Sequence, residues 1–243
     1  MKMLSSPIDV AKLAAADFQA CYGSDLVSVT VYGSAAGRDF DPKTSDINIL
    51  IVLSSMTLSL LGKSAAIQTK WMKKRFARPL FLDKEYIAGS LDSFPIEFLS
   101  MKDSYKVVFG QDVLSGLAIN NSDLRLQIER EIKGKWLHLN RGWLDSGNNA
   151  ARLKRLLELS IRDFSPVFIS MLHLKDVPIP RDRTSLFASV EATFGLTDAA
   201  LQKALAAARG GGKSGVTAVF PHYSNAIKSL AFAIDNLSTK ENA

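Results

Sequence analysis

The stretch Val27 to Leu53, VSVTVYGSAAGRDFDPKTSDINILIVL, constrains the fold more than any other part of the chain. Val27, Val29 and Val31 alternate with Ser28, Thr30 and Tyr32, the period of a pleated strand, and Ile47 to Leu53 is a nearly unbroken apolar run of strand type. Gly33 follows the first strand directly, and without a Cβ it lets another group, such as a phosphate, approach the backbone. Ser34 adds a hydroxyl and an amide at the start of a short helix or loop, where partial positive charge favours an anion. Asp46 opens the second strand. Residues i and i+2 of a strand share a face, so Asp46 and Asn48 are expected to project side by side, away from Ile47, Ile49 and Ile51.

A Gly-Ser turn after a strand, a short gap and an Asp-x-Asp-like pair between apolar residues resemble the polymerase-β-like nucleotidyltransferase superfamily, and within it the antibiotic-modifying type. The pieces that carry the resemblance are Gly33-Ser34 and Asp46-Ile47-Asn48-Ile49. The resemblance implies that Gly33 and Ser34 hold a nucleoside triphosphate and that Asp46 and Asn48 contribute to a site for magnesium, or manganese in its place. It also implies a third carboxylate, completing the metal site or acting as general base for an acceptor hydroxyl. Glu97 is the expected one, read within SFPIEFLSMK as a fourth strand whose Ile96 and Phe98 face the core. Asn48 departs from the pattern: it stands where a second carboxylate is expected and offers a carbonyl oxygen without charge. Two activities follow as alternatives. One is transfer of a nucleoside monophosphate from a nucleoside triphosphate to a hydroxyl of a small molecule or protein. The other is a catalytically degenerate nucleotide-binding or regulatory protein of the same fold.

Each of these residues also has an ordinary structural reading. Asp46 could cap the preceding loop, Asn48 could bond within a sheet edge, Ser34 could be a turn residue, and Glu97 an exposed glutamate. Arg38, Lys43 and Lys102 are weaker candidates for phosphate contacts, and solvated side chains account for them as well. The same holds for Lys73, Lys74 and Arg75, since cations suit a helix C-terminus. Gly33 to Gly37 lacks the glycine spacing of a dinucleotide fingerprint. Gly212-Lys213-Ser214 imitates the end of a P-loop, but Ala207 occupies the first glycine position, and the stretch reads as a flexible loop. His138, His173 and His222 lack metal-ligand spacing. Trp136, Trp143 and Phe164 read as helix-packing residues.

The rest of the chain supplies context. Pro7 to Cys21 is expected to be helical with Ser6 as its cap, and Leu58 to Phe76 to be one helix. Pro79 to Leu82 reads as a strand, with Asp83 capping a small helix after it. Beyond Gly110 helical patterns run over Asp123–Leu144, Ala151–Leu174, Thr184–Phe194, Asp198–Ala208 and Pro221–Leu237, with Pro166 expected to kink or break the second. The expected architecture is α+β: a small mixed-sheet nucleotidyltransferase-like domain over residues 1–115, followed by an all-α helical bundle over 116–243. By resemblance, the bundle helps bind the acceptor, and such bundles often form a dimer, so a homodimer is one expected assembly.

A hydrophobic content of 47% is that of a globular protein. A single cysteine, Cys21, rules out an internal disulfide and agrees with a reducing cytoplasm. No stretch reads as a signal peptide or a membrane span. The net charge of +6 favours anionic partners, but the basic residues are scattered and no nucleic-acid motif accompanies them, so nucleic acid is not an expected partner.

Overall fold

A computed structural model describes residues 6–37, 40–42, 45–210 and 213–237. Helix α1 (Pro7–Tyr22) starts where Ser6 Oγ accepts the Asp9 amide, and Gly23 ends it at φ 53°. Strand β1 (Leu26–Tyr32) leads into a single 3-10 turn, Gly33–Ala35, and β2 (Asn48–Leu53) returns antiparallel to β1, with Tyr32 opposite Asn48. Two short helices follow, α2 (Leu58–Lys63) and α3 (Ala65–Met72), then β3 (Leu80–Asp83), α4 (Lys84–Gly89), α5 (Pro95–Asp103) and β4 (Tyr105–Gly110). The sheet has four strands in the order β3-β2-β1-β4; β3 runs parallel to β2, and β4 antiparallel to β1.

Both faces of this sheet are covered. Ile47, Ile49 and Ile51 pack with Val29, Val31, Phe18 of α1 and Trp71 of α3. On the other face Leu50 and Val52 pack with Leu82, Ile87, Phe98, Met101 and Leu114. Each fully buried aliphatic side chain contributes roughly 1.5–3 kcal/mol, so strand residues of both parities are held in place. Gly110 is obligatory at its position: at φ 75°, an added Cβ would lie 2.1 Å from the Val27 carbonyl oxygen.

Two expected elements differ in the structure. The segment SFPIEFLSMK is not a strand: Pro95 opens helix α5, and Ile96, Phe98, Leu99 and Met101 are buried at helical spacing. The fourth strand is instead Tyr105–Gly110. Leu58 to Phe76 is not one helix either. It breaks at buried Ser64, whose hydroxyl donates to the Leu61 carbonyl and accepts from Gln68 Nε2.

The chain divides into two compact units, one of Met1–Asp92 with Phe98–Ile119, the other of Ser93–Glu97 with Asn120–Ala243. The second holds α6 (Asn121–Ser146), α7 (Ala150–Leu174), α8 (Arg183–Phe194), α9 (Ala200–Gly210) and α10 (Lys213–Asp235). Asn120, Asn149 and Asp182 cap α6, α7 and α8, each through a side-chain oxygen that accepts a first-turn amide. Helix α7 continues through Pro166, with Ser165 and Ser170 hydroxyls bonded to carbonyls one turn back. Helix α10 starts eight residues before Pro221, which lies in its interior. Lys213 and Ser214 thus belong to helix α10, whereas Gly211 and Gly212 lie outside the described residues. Phe164, Phe168, Phe187 and Tyr223 form the aromatic centre of the bundle, and Trp143 stacks on Phe220 at 5.0 Å. No helix among the described residues is long and apolar enough to cross a membrane.

Candidate functional site

The β1–β2 connection brings the turn and the polar end of β2 together through sheet register. Tyr32 pairs with Asn48 at the strand ends, so the residue after Tyr32 and the side chain of Asn48 must be neighbours. A Cβ added to Gly33 would stand 3.4 Å from Asn48 Nδ2. Gly33 has φ 72°, a conformation that side-chain-bearing residues adopt only under strain. Its amide donates to the Ser104 carbonyl at 2.8 Å, and the amides of Ala36 and Gly37 donate back to Gly33 and Ser34. The turn is therefore tied at both ends. Ser34 is half-buried within it.

Asp46 directly precedes the Ile47–Phe76 bridge that extends β2 toward the segment after α3. The Ile47 amide donates to the Arg75 carbonyl at 2.9 Å, and the Ala77 amide to the Ile47 carbonyl at 3.0 Å. Asp46 is exposed, and its carboxylate has no hydrogen bond or ion pair among the described residues. Asn48 is half-buried, one strand repeat further in. The two share a parity with Leu50 and Val52, which carry the second core cluster, so the polar pair stands where that apolar cover runs out. On β1, Tyr32 lies at the same end, and burial pushes its hydroxyl pKa up.

Glu97 is placed differently from the strand expectation. It is an exposed residue in the first turn of α5, and its Oε2 accepts a hydrogen bond from Gln127 Nε2 at 2.8 Å. Gln127 is itself buried and accepts the Ile96 amide at 2.7 Å. Strand alternation therefore does not set Glu97 beside Asp46, because period-two geometry does not apply to a helix. Lys102 donates to the Leu117 carbonyl and is half-buried, which satisfies it as a structural residue. Arg38 and Lys43 lie outside the described residues.

The backbone roles of Ser104 and Arg75 escape sequence reasoning. Ser104 acts through its backbone carbonyl, which leaves no trace in residue type. Arg75, one of the three cations at the end of α3, has φ 67°, a conformation that residue type does not announce.

The donor set can be tested against magnesium. Among the described residues no three His, Cys, Asp or Glu side chains gather into a metal-binding group. A single unpartnered carboxylate with a neighbouring amide oxygen fits an ion that brings most of its ligands as phosphate oxygens and water. It does not fit a protein-held pair of ions, which needs several anionic ligands.

No protein-family model matches the chain, and no curated protein sequence matches it at a significant level. Among solved structures, it is similar to spectinomycin adenyltransferase AAD(9) from Enterococcus faecialis, solved with ATP and spectinomycin. The TM-score is 0.54 at 13% identity, over 90% of this chain and 99% of that one. Identity this low speaks for the fold. The chain thus shares its fold with that structure, a small mixed-sheet unit accompanied by an all-α helical unit.

Proposed function

We propose that the chain binds a nucleoside triphosphate with magnesium at the β1–β2 turn and transfers its nucleoside monophosphate to a hydroxyl of a small molecule. The observation that carries this reading is Asp46, exposed and unpartnered among the described residues, on the same strand face as Asn48, which adjoins the left-handed Gly33. The fold is shared with an adenyltransferase solved with ATP and an antibiotic, which supports the class of both substrates.

In the proposed reaction the acceptor oxygen attacks the α-phosphorus. The bond from that phosphorus to the bridging oxygen breaks, pyrophosphate leaves with the electron pair, and the hydroxyl proton passes to a base. Magnesium, when bound, would lower the cost of charge developing on the phosphate oxygens. Asp46 and Asn48 would hold it, with triphosphate oxygens completing the shell. Gly33 keeps the turn open to the phosphates, and Ser34 offers a hydroxyl donor. Glu97, in the first turn of α5 and hydrogen-bonded to Gln127, has no part in this proposed reaction.

A second reading, a nucleotide-binding protein without efficient chemistry, is favoured by the amide of Asn48 and by the lack of a carboxylate cluster among the described residues. Incubation with each α-labelled triphosphate, magnesium or manganese, and a panel of hydroxylated small molecules separates the two. A labelled acceptor supports transfer, binding without labelling supports the second reading, and failure of the folded protein to bind any triphosphate overturns both.

A further inference from the structure

The end of α3 is closed by a Schellman motif built from named contacts. The Phe76 amide donates to the Trp71 carbonyl at 3.3 Å, the Arg75 amide donates to the Met72 carbonyl at 3.2 Å, and the Trp71 and Phe76 rings pack edge to face at 5.3 Å. The residue between those amide bonds must be left-handed, and glycine is the usual choice. Here it is Arg75, at φ 67°. The motif explains the backbone conformation but not why a long, exposed cation occupies a glycine position. Cations at a helix end serve the dipole from ordinary right-handed positions, and Lys70, Lys73 and Lys74 already do so.

The guanidinium accounts for the choice. Arg75 Nη1 donates to the Pro42 carbonyl, in the segment that leads from the Gly33 turn to Asp46. Asp41 and Ser45 are joined by two hydrogen bonds: the Ser45 amide donates to the Asp41 carbonyl at 2.8 Å, and the Asp41 amide donates to Ser45 Oγ at 3.1 Å. The Arg75 carbonyl meanwhile accepts the Ile47 amide. One residue therefore grips the chain on both sides of Asp46, by its backbone at Ile47 and by its side chain at Pro42. We infer that Arg75 is a positioning residue that fixes the chain entering Asp46, so that the carboxylate is presented in one place to a metal-bound triphosphate. The last clause rests on the nucleotide-site reading; the grip of Arg75 on the Pro42 carbonyl does not.

The test uses the full chain and two variants. Arg75→Gly removes the guanidinium while relieving the left-handed strain, so the thermal midpoint is expected to stay or rise. Amide exchange at Ser45 is expected to accelerate about tenfold, as local opening is no longer opposed by the side chain, while the Ile47 amide keeps its protection. Arg75→Lys retains a donor but loses the fork, and its exchange at Ser45 should fall between the two. Unchanged exchange at Ser45 in Arg75→Gly overturns the inference. Equal acceleration at Ser45 and Ile47 also overturns it, since that would mark general loosening of the helix cap. Titration of the same proteins with magnesium and ATP adds the functional arm. Weaker binding by Arg75→Gly supports the presentation of Asp46, and equal binding overturns that clause. A wild-type protein that binds no triphosphate defeats the nucleotide reading instead, with the exchange result still deciding the grip.

Discussion

In the proposed site Asn48 sets how strongly a metal is held, since it adjoins Gly33 and shares a strand face with Asp46. Asn48→Asp adds a hard anionic ligand where one is lacking, and should tighten magnesium-dependent triphosphate binding about tenfold, or about 1.4 kcal/mol. The same variant should be less stable without metal, because two carboxylates two residues apart on one strand repel and raise the pKa of one of them. Calorimetric titration and thermal unfolding with and without magnesium check both signs. Gly33 was legible as a close-approach residue, but its φ of 72° means that any side chain there strains the backbone whatever the ligand. Gly33→Ala should cost about 1 kcal/mol of stability, read from the denaturant midpoint, so its effect on binding has to be measured in excess of that loss. Asp46 and Asn48 could be placed from sequence because period-two alternation is local. Ser104 and Arg75 could not, because one acts through a carbonyl and the other through a backbone conformation that residue type does not announce.

At the scale of elements, local signals proved readable and competing periods did not. Ser6 and Asp83 were read as helix caps, and their side-chain oxygens accept the Asp9 and Tyr86 amides. In SFPIEFLSMK the pair Ile96 and Phe98 fits a strand, while Ile96 with Leu99 and Phe98 with Met101 fit a helix. Pro95 at the first helical position was the signal that tells the two apart. Two contacts that join elements carry measurable weight. Asp17 of α1 accepts hydrogen bonds from Lys70 and Trp71 of α3, and the Lys70 bond first of all holds its pKa below the ordinary carboxylate value. A depressed folded pKa gives stability that is present above the unfolded value near 4 and lost as pH falls through the folded one. Asp17→Asn should therefore flatten the stability profile below about pH 4, as acid titration of the unfolding midpoint will show; the pair is half-exposed, so the effect is modest. Glu191 is buried, and its carboxylate takes the Leu201 amide at 2.6 Å and Gln202 Nε2 at 2.6 Å, capping the start of α9 from α8. Glu191→Ala should cost about 3 kcal/mol by orphaning those donors, measured by chemical denaturation, and Glu191→Gln should recover part of it.

The whole molecule joins a sheet unit that carries the candidate nucleotide site to a helical unit with its own aromatic core. The helical patterns beyond Gly110 were legible because they are long and amphipathic, yet such helices say little about what they bind. The net charge of +6 agrees with an anionic ligand and leads us to expect triphosphate affinity to fall as salt rises. Asp46 and the Gly33 turn are proposed to hold a metal-bound triphosphate together. Calorimetric titration of ATP into the wild-type chain and Asp46→Asn, each with magnesium and with chelator, tests it most directly. The wild type is expected to bind with magnesium, and more weakly by about tenfold or more when either the metal or the Asp46 charge is removed. Equal affinity in all four titrations, with both proteins folded, would contradict it.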